Sequence, residues 1–155
     1  MTKRTTGAGW LSAALTLVLL AGCASSSAPR GDTALAPAMV LESFLRAANT
    51  NDLDTMAELF GTREGPWART VSKQQADDRL FAIASVLRHT DYEILREQIV
   101  PGRRDEATQL VVRLTRGEGR HEVPFTLVQS PRSGWLVENV PIDQLTGRRP
   151  TRPRP

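Results

Sequence analysis

The spacing of apolar residues changes once along this chain, close to Asp91, and that change limits the folds it can adopt. On the N-terminal side, apolar residues recur every three or four positions, which is typical of helices that bury one face. On the C-terminal side they alternate with polar residues, which is typical of strands in a sheet that buries one face. Helices followed by strands predict a segregated α+β fold.

Three helices are predicted on the N-terminal side. Their ends are marked by side chains that cap the first free backbone N–H groups and by glycine or asparagine where a helix stops. These markers are residues 49–51 after the first helix, Asp52 and Gly61 around the second, and Ser72 with Gln75 as a capping box before the third. The third helix is expected to end near Arg88 or His89. The segment 62–70 contains a Gly-Pro pair, which predicts a loop that carries Trp67.

Four strands are predicted on the C-terminal side, joined by short polar turns. They cover residues 92–100, 110–114, 123–127 and 135–140. Pro124 has no backbone N–H to donate, so it predicts an edge position or a bulge in the third of these strands. The expected fold is three N-terminal helices packed on a curved four-stranded antiparallel sheet, in one domain from 38 to 145.

The first 22 residues have the three parts of a secretion signal peptide. Lys3 and Arg4 supply a positive start, residues 10–20 an apolar run, and Ala21 with Gly22 a small-residue exit. A helix of this run covers roughly half of the hydrocarbon thickness of about 30 Å, so it is too short for a stable anchor by itself. Cleavage is therefore expected.

The sequence Leu20-Ala21-Gly22-Cys23 resembles the lipobox of bacterial lipoproteins. The resemblance implies a diacylglyceryl thioether on Cys23, removal of residues 1–22, and acylation of the new amino group with a chain such as palmitate. Two or three acyl chains give stable membrane attachment. No aspartate occurs in 24–27, which favours the periplasmic face of the outer membrane; an ordinary secreted protein is the alternative. Because the chain has a single cysteine, an intramolecular disulfide is excluded and the domain has no thiol for catalysis or zinc.

The two segments that flank the predicted domain contain few apolar residues to bury. Residues 23–37 are rich in Ser, Ala and Pro and predict a lipidated, flexible tether. Residues 146–155 predict a disordered tail whose charges are spaced to meet phosphates or carboxylates of an anionic surface. Its arginines are Arg148, Arg149, Arg152 and Arg154. Of the 20 basic residues, two lie in the signal and four in the tail, which leaves 14 against 17 acidic residues, so no nucleic-acid partner is expected.

The order of elements is similar to that of the nuclear-transport-factor-2-like superfamily of cone-shaped domains, which includes ketosteroid isomerase. Two segments carry the resemblance: Phe44-Leu45-Arg46-Ala47-Ala48 with Asp52 after it, and Gly134-Trp135-Leu136-Val137-Glu138-Asn139-Val140. A cystatin-like cone shares the helix-on-sheet plan and is the competing assignment. The first resemblance implies a pocket at the cone mouth, where enzymes of the superfamily place an aspartate base and hydrogen-bond donors against an apolar wall. No catalytic motif can be matched residue by residue.

The chemically reactive residues of the domain do not predict a catalytic or metal site. Asp91 and Tyr92 are a base and a donor in sequence, but neighbouring strand residues face opposite sides of a sheet. His89 and His121 lie 32 residues apart on different elements, and no carboxylate joins either of them at metal-ligand spacing. His89 is instead expected to interact with the dipole at a helix C-terminus. Catalytic residues, metal ions and cofactors are therefore not expected.

Three aromatic residues are candidates for contact with a ligand or partner: Trp67, Tyr92 and Trp135. Trp67 lies in a loop, where an indole ring is able to stack on another molecule, whereas Trp135 begins a strand and is expected mainly to pack. The sequence favours a membrane-anchored, non-enzymatic envelope lipoprotein that meets an envelope protein or a small apolar ligand. The alternative is an isomerase- or dehydratase-like enzyme with a carboxylate in the cone pocket.

Overall fold

The computed structural model describes residues 36–146, which form an α+β fold. The predicted signal, Cys23, the tether up to residue 35 and the tail from residue 147 lie outside the described residues. The helices are α1 (Pro37–Thr50), α2 (Leu53–Leu59), α3 (Lys73–Leu87) and α4 (Ile142–Thr146), with a 3-10 helix at Trp67–Thr70. The strands are β1 (Gly61–Thr62), β2 (Gly65–Pro66), β3 (Asp91–Ile99), β4 (Ala107–Arg116), β5 (Gly119–Ser130) and β6 (Gly134–Asn139). None of the helices in this range is long and apolar enough to cross a membrane.

The predicted caps of α2 and α3 are confirmed. The Asp52 carboxylate accepts hydrogen bonds from the backbone N (3.1 Å) and the Oγ1 (2.7 Å) of Thr55, so it satisfies a free N–H group at the start of α2. Ser72 Oγ accepts from Gln75 N, and Gln75 Oε1 accepts from Ser72 N, each at 3.3 Å. This reciprocal pair is the capping box that the sequence predicts.

The larger sheet is antiparallel, with the strand order β3-β4-β5-β6. One face of it packs against α1, α2 and α3, and the alternating apolar residues of β4 and β5 lie on that face because side chains alternate along a strand. The largest fully buried side chains there are Phe44, Phe125, Leu41, Leu45, Met56, Leu80, Leu87, Leu110, Leu114 and Leu127. Each contributes about 1.5–3 kcal/mol on burial, so this layer holds the helices on the sheet.

Pro124 lies in an interior strand, so the predicted edge position is wrong for β5 as a whole. It pairs with Val111 of β4 on one side. On the other side, the last β6 residue, Asn139, pairs with Thr126. Among the described residues no strand pairs with β5 beyond that point, so at Pro124 the sheet has a local edge where the missing N–H costs nothing.

Two small elements differ from the sequence prediction. Residues 61–70 form a short hairpin, β1 and β2, and a 3-10 turn, where a loop is predicted over 62–70. Gly61 is needed in this hairpin, because a Cβ there would overlap the carbonyl oxygen of Gly65 and approach Pro66 Cα at 2.8 Å. The helix before it already ends at Leu59. A fourth helix, α4, follows the sheet and buries Leu145, so the prediction of three helices is short by one.

Ion pairs join one connection to the sheet and link neighbouring strands within it. Arg103, between β3 and β4, donates from Nη1 and Nη2 to the two carboxylate oxygens of Glu138 at 2.7 and 3.0 Å. This bidentate bond raises the pKa of the Arg103 guanidinium. On the face away from the helices, Arg113 pairs with Glu93 at 2.7 Å and with Glu122 at 3.6 Å. Charged side chains therefore occupy part of that outer face.

Candidate functional site

The two histidines come together at one end of the larger sheet. β3 begins where β4 ends, and β5 begins one turn later, so the α3–β3 connection lies beside the β4–β5 turn. A groove of about 520 Å³ is open to solvent at this end. Its lining residues are Arg88, His89, Thr90, Arg116, Gly117 and His121, none of them a carboxylate. We call it the Arg/His groove.

Asn49, in the last turn of α1, holds His89 in place. Its Nδ2 donates to the His89 carbonyl at 3.0 Å, and His89 N donates to its Oδ1 at 3.1 Å. The same Nδ2 lies 3.2 Å from His89 Nε2, and the Nδ1 of that ring lies 2.8 Å from the carbonyl of Leu87. Because a carbonyl only accepts and an amide nitrogen only donates, these contacts fit a ring that donates from Nδ1 and accepts at Nε2. The imidazole thus caps the end of α3, where the sequence places it.

Arg116 links three elements at the groove. Its Nε donates to the carbonyl of Arg88 at 3.0 Å, and its Nη1 to the carbonyl of Leu145 at 3.5 Å. Thr90 N and Oγ1 both donate to the carbonyl of Thr115, at 2.8 and 3.1 Å. These bonds fix the start of β3 and the ends of α3 and α4 against β4, so the guanidinium has a defined position.

His121 is the second imidazole of the groove. It pairs with Leu114 across β4 and β5, so it lies on the helix-covered face of the sheet. A Cβ at Gly119 would lie 3.0 Å from its Nε2, which is closer than ordinary van der Waals contact. Glycine at position 119 therefore lets the imidazole lie close to the backbone of the turn.

The structure does not gather these residues into a metal centre. Both ring nitrogens of His89 have partners, Leu87 and Asn49. Within residues 36–146, no group of three or more His, Cys, Asp or Glu side chains could hold a metal ion.

The three aromatic candidates lie in different places. Trp67 packs with Phe60, with ring centroids 6.3 Å apart, and the Arg79 guanidinium lies 5.0 Å from its ring. These contacts tie the indole to α3 and the core. Tyr92 packs edge-on against His89 at 5.6 Å, beside the Arg/His groove. Asp91, its neighbour, lies on the opposite face, as strand alternation predicts.

Trp135 lies at the opposite end of β5 from His121, beside a hollow of about 290 Å³. In this hollow Thr108 Oγ1 donates to Glu97 Oε1 at 2.8 Å, and Glu97 is exposed to solvent. Ile99, on its edge, is 59% exposed. Arg104 and a second exposed carboxylate, Asp105, also line the hollow, which lies at the other end of β5 from the Arg/His groove.

Arg88 and Arg116 are the site residues that reasoning from the sequence missed. Their positions follow from the strand pairs, because antiparallel pairing of β3 with β4 places the end of β4 next to the start of β3. In comparisons with known proteins, the chain matches no protein-family model, no curated protein and no solved structure.

Proposed function

We propose that this chain is a bacterial envelope lipoprotein, attached by lipid on Cys23 at the periplasmic face of the outer membrane, whose α+β domain is a non-enzymatic binding module. The observation that carries the proposal is the sequence Leu20-Ala21-Gly22-Cys23 directly after an apolar run of 11 residues. Thirteen residues, 24–36, then separate the cysteine from the first helical residue. The folded domain is therefore separated in sequence from the proposed lipid anchor.

The domain is proposed to be a cone of the nuclear-transport-factor-2-like kind, with a cystatin-like cone as the competing assignment. Support comes from the order of elements, since three helices precede an antiparallel meander of four strands. It also comes from the packing of α1 against that sheet through Leu41, Phe44 and Leu45.

Binding has more support than catalysis. An isomerase or dehydratase of this plan needs a carboxylate in an apolar pocket, where burial adjusts its pKa. Here the helix-covered face of the sheet is filled by side chains such as Phe44 and Phe125, which are fully buried. The two carboxylates in the hollow beside Trp135, Glu97 and Asp105, are both exposed. The enzyme therefore remains the weaker alternative, and an exposed surface is the better site for a partner.

The test of the anchor is metabolic labelling. The full chain is produced in a bacterial host fed with labelled palmitate, alongside Cys23→Ala and a matched control, Ser26→Ala. We expect label in the membrane fraction for the natural chain and the control. In Cys23→Ala the label should be absent, because no thiol remains to form the thioether. Label that persists in Cys23→Ala would refute the proposed anchor.

A further inference from the structure

We infer that the Arg/His groove binds a phosphate-bearing ligand, an inference that rests on the proposed role of the domain as a binding module. Among the described residues that line the groove, two are arginines, two are histidines and none is acidic. Two arginines of the sheet contrast with them, since Arg96 pairs with Glu122 and Arg113 pairs with Glu93. Within residues 36–146, Arg88 and Arg116 form no such ion pair, so their charges are not neutralised by a contacting carboxylate.

The position of Arg116 is set before a ligand arrives. Two of its N–H groups are used by the carbonyls of Arg88 and Leu145. A guanidinium has five N–H donors, so others remain for an anion. Because the backbone already fixes this side chain, less rotamer entropy is lost when a ligand binds.

A phosphate suits these donors better than a single carboxylate does. Guanidinium groups pair with phosphate oxygens through two parallel hydrogen bonds, and an imidazole adds a further donor. A phosphate monoester offers three non-bridging acceptor oxygens and a phosphodiester offers two, so several donors of the groove can share one phosphate. Arg88, Arg116 and His121 all line the groove. The volume of about 520 Å³ leaves space for more than one phosphate group.

The groove also lies away from the point where the tether joins the domain. Asn49, which holds His89, is near the C-terminal end of α1, whereas the tether enters at Pro37. The 14 residues of α1 separate these ends by about 20 Å. The groove and the start of the domain are therefore at opposite ends of α1. Phosphates occur in lipid headgroups and in soluble polymers, and a titration with one probe of each kind distinguishes these two sources.

Calorimetric titration of the full chain in nonionic detergent tests the inference with three soluble probes at equal ionic strength. The probes are tripolyphosphate, glycerophosphoglycerol (a lipid headgroup without acyl chains) and citrate. We expect Arg88→Gln to weaken phosphate binding roughly tenfold, since it removes one charge-assisted contact. His121→Gln should weaken it about threefold to fivefold. The matched control is Arg132→Gln, which removes an equal charge in the β5–β6 turn, on the order of 35 Å away along β5. It should change binding less than about twofold.

The relative affinities of the two phosphate probes distinguish the possible sources of the phosphate. Tighter binding of tripolyphosphate supports a soluble polyphosphate, and tighter binding of glycerophosphoglycerol supports a lipid headgroup. Citrate that binds as tightly as either phosphate probe would overturn the inference, and so would an equal loss in Arg132→Gln and Arg88→Gln. Absence of binding at millimolar phosphate would also overturn it. Palmitate labelling of Cys23 is independent of this titration, so failure of the groove and failure of the proposed anchor are distinguishable.

Discussion

Replacing Asn49 by alanine tests the contact that shapes the Arg/His groove. The change removes three interactions with His89, at 3.0, 3.1 and 3.2 Å. Each such bond contributes about 0.5–1.5 kcal/mol net, and the lower half of that range applies because Asn49 is exposed. Alanine favours the helix by up to about 0.7 kcal/mol, which offsets part of the loss. The expected net destabilisation of Asn49→Ala is about 1–2 kcal/mol.

Urea unfolding of the full chain, followed by circular dichroism, measures this difference. With a urea dependence of about 1.5 kcal/mol/M, the midpoint should fall by roughly 1 M. Arg46→Ala, on the same helix and exposed, is the matched control and should change the midpoint by less than about 0.3 M. If the urea midpoint falls no more in Asn49→Ala than in Arg46→Ala, the hydrogen bonds of Asn49 to His89 do not stabilise the α3–β3 connection.

Two further predictions concern the helix-rich half. Gly61→Ala should destabilise the fold by about 2–3 kcal/mol, because the added Cβ meets backbone atoms of β2. Its control is Gly102→Ala, where the Cβ meets no other atom but the positive φ of 77° should cost about 1 kcal/mol. Equal midpoints in urea would contradict the proposed close approach at Gly61. The hydrogen bonds from Thr55 lower the pKa of Asp52 below its ordinary value of 3.8, so its stabilising effect is present above that value and is lost as pH falls through the folded pKa. An NMR titration that places the pKa of Asp52 at or above 3.8 would contradict this, and Asp52→Asn should remove that part of the pH dependence.

The change in apolar spacing near Asp91 was sufficient to predict the layer structure. Helical spacing places Phe44 on one face of α1 with its neighbours three and four positions away. Strand alternation places Phe125 on one face of β5 with its neighbours two positions away. The apolar residues of these two faces are buried in one core. Caps were equally predictable, because Asp52 and Ser72 act on N–H groups only three residues away.

Features that depend on distant partners were not predictable in this way. The short hairpin of β1 and β2 has two-residue strands, too short for any period to show. α4 covers only five residues, and its burial of Leu145 depends on packing rather than on helix propensity. The interior position of β5 comes from strand order, which a single proline at 124 does not encode.

The groove could have been predicted in outline from the strand pairs. Once β3 and β4 pair antiparallel, Thr90 must lie near Thr115, and His89 comes with it. His121 follows from the turn at Gly117 and Gly119. The 32 residues between the two histidines hide this proximity, because separation along the chain does not show how far apart two residues lie in space. The bonds of Arg116 to two carbonyls had no sequence signal, since backbone acceptors are the same at every position.

The intact mass of the protein isolated from bacterial membranes tests the proposed lipid anchor most directly. We expect a chain that begins at Cys23, lacks residues 1–22, and carries a diacylglyceryl group on the cysteine and an acyl group on the new amino terminus. A chain that retains residues 1–22, or one that begins elsewhere with an unmodified cysteine, would contradict it.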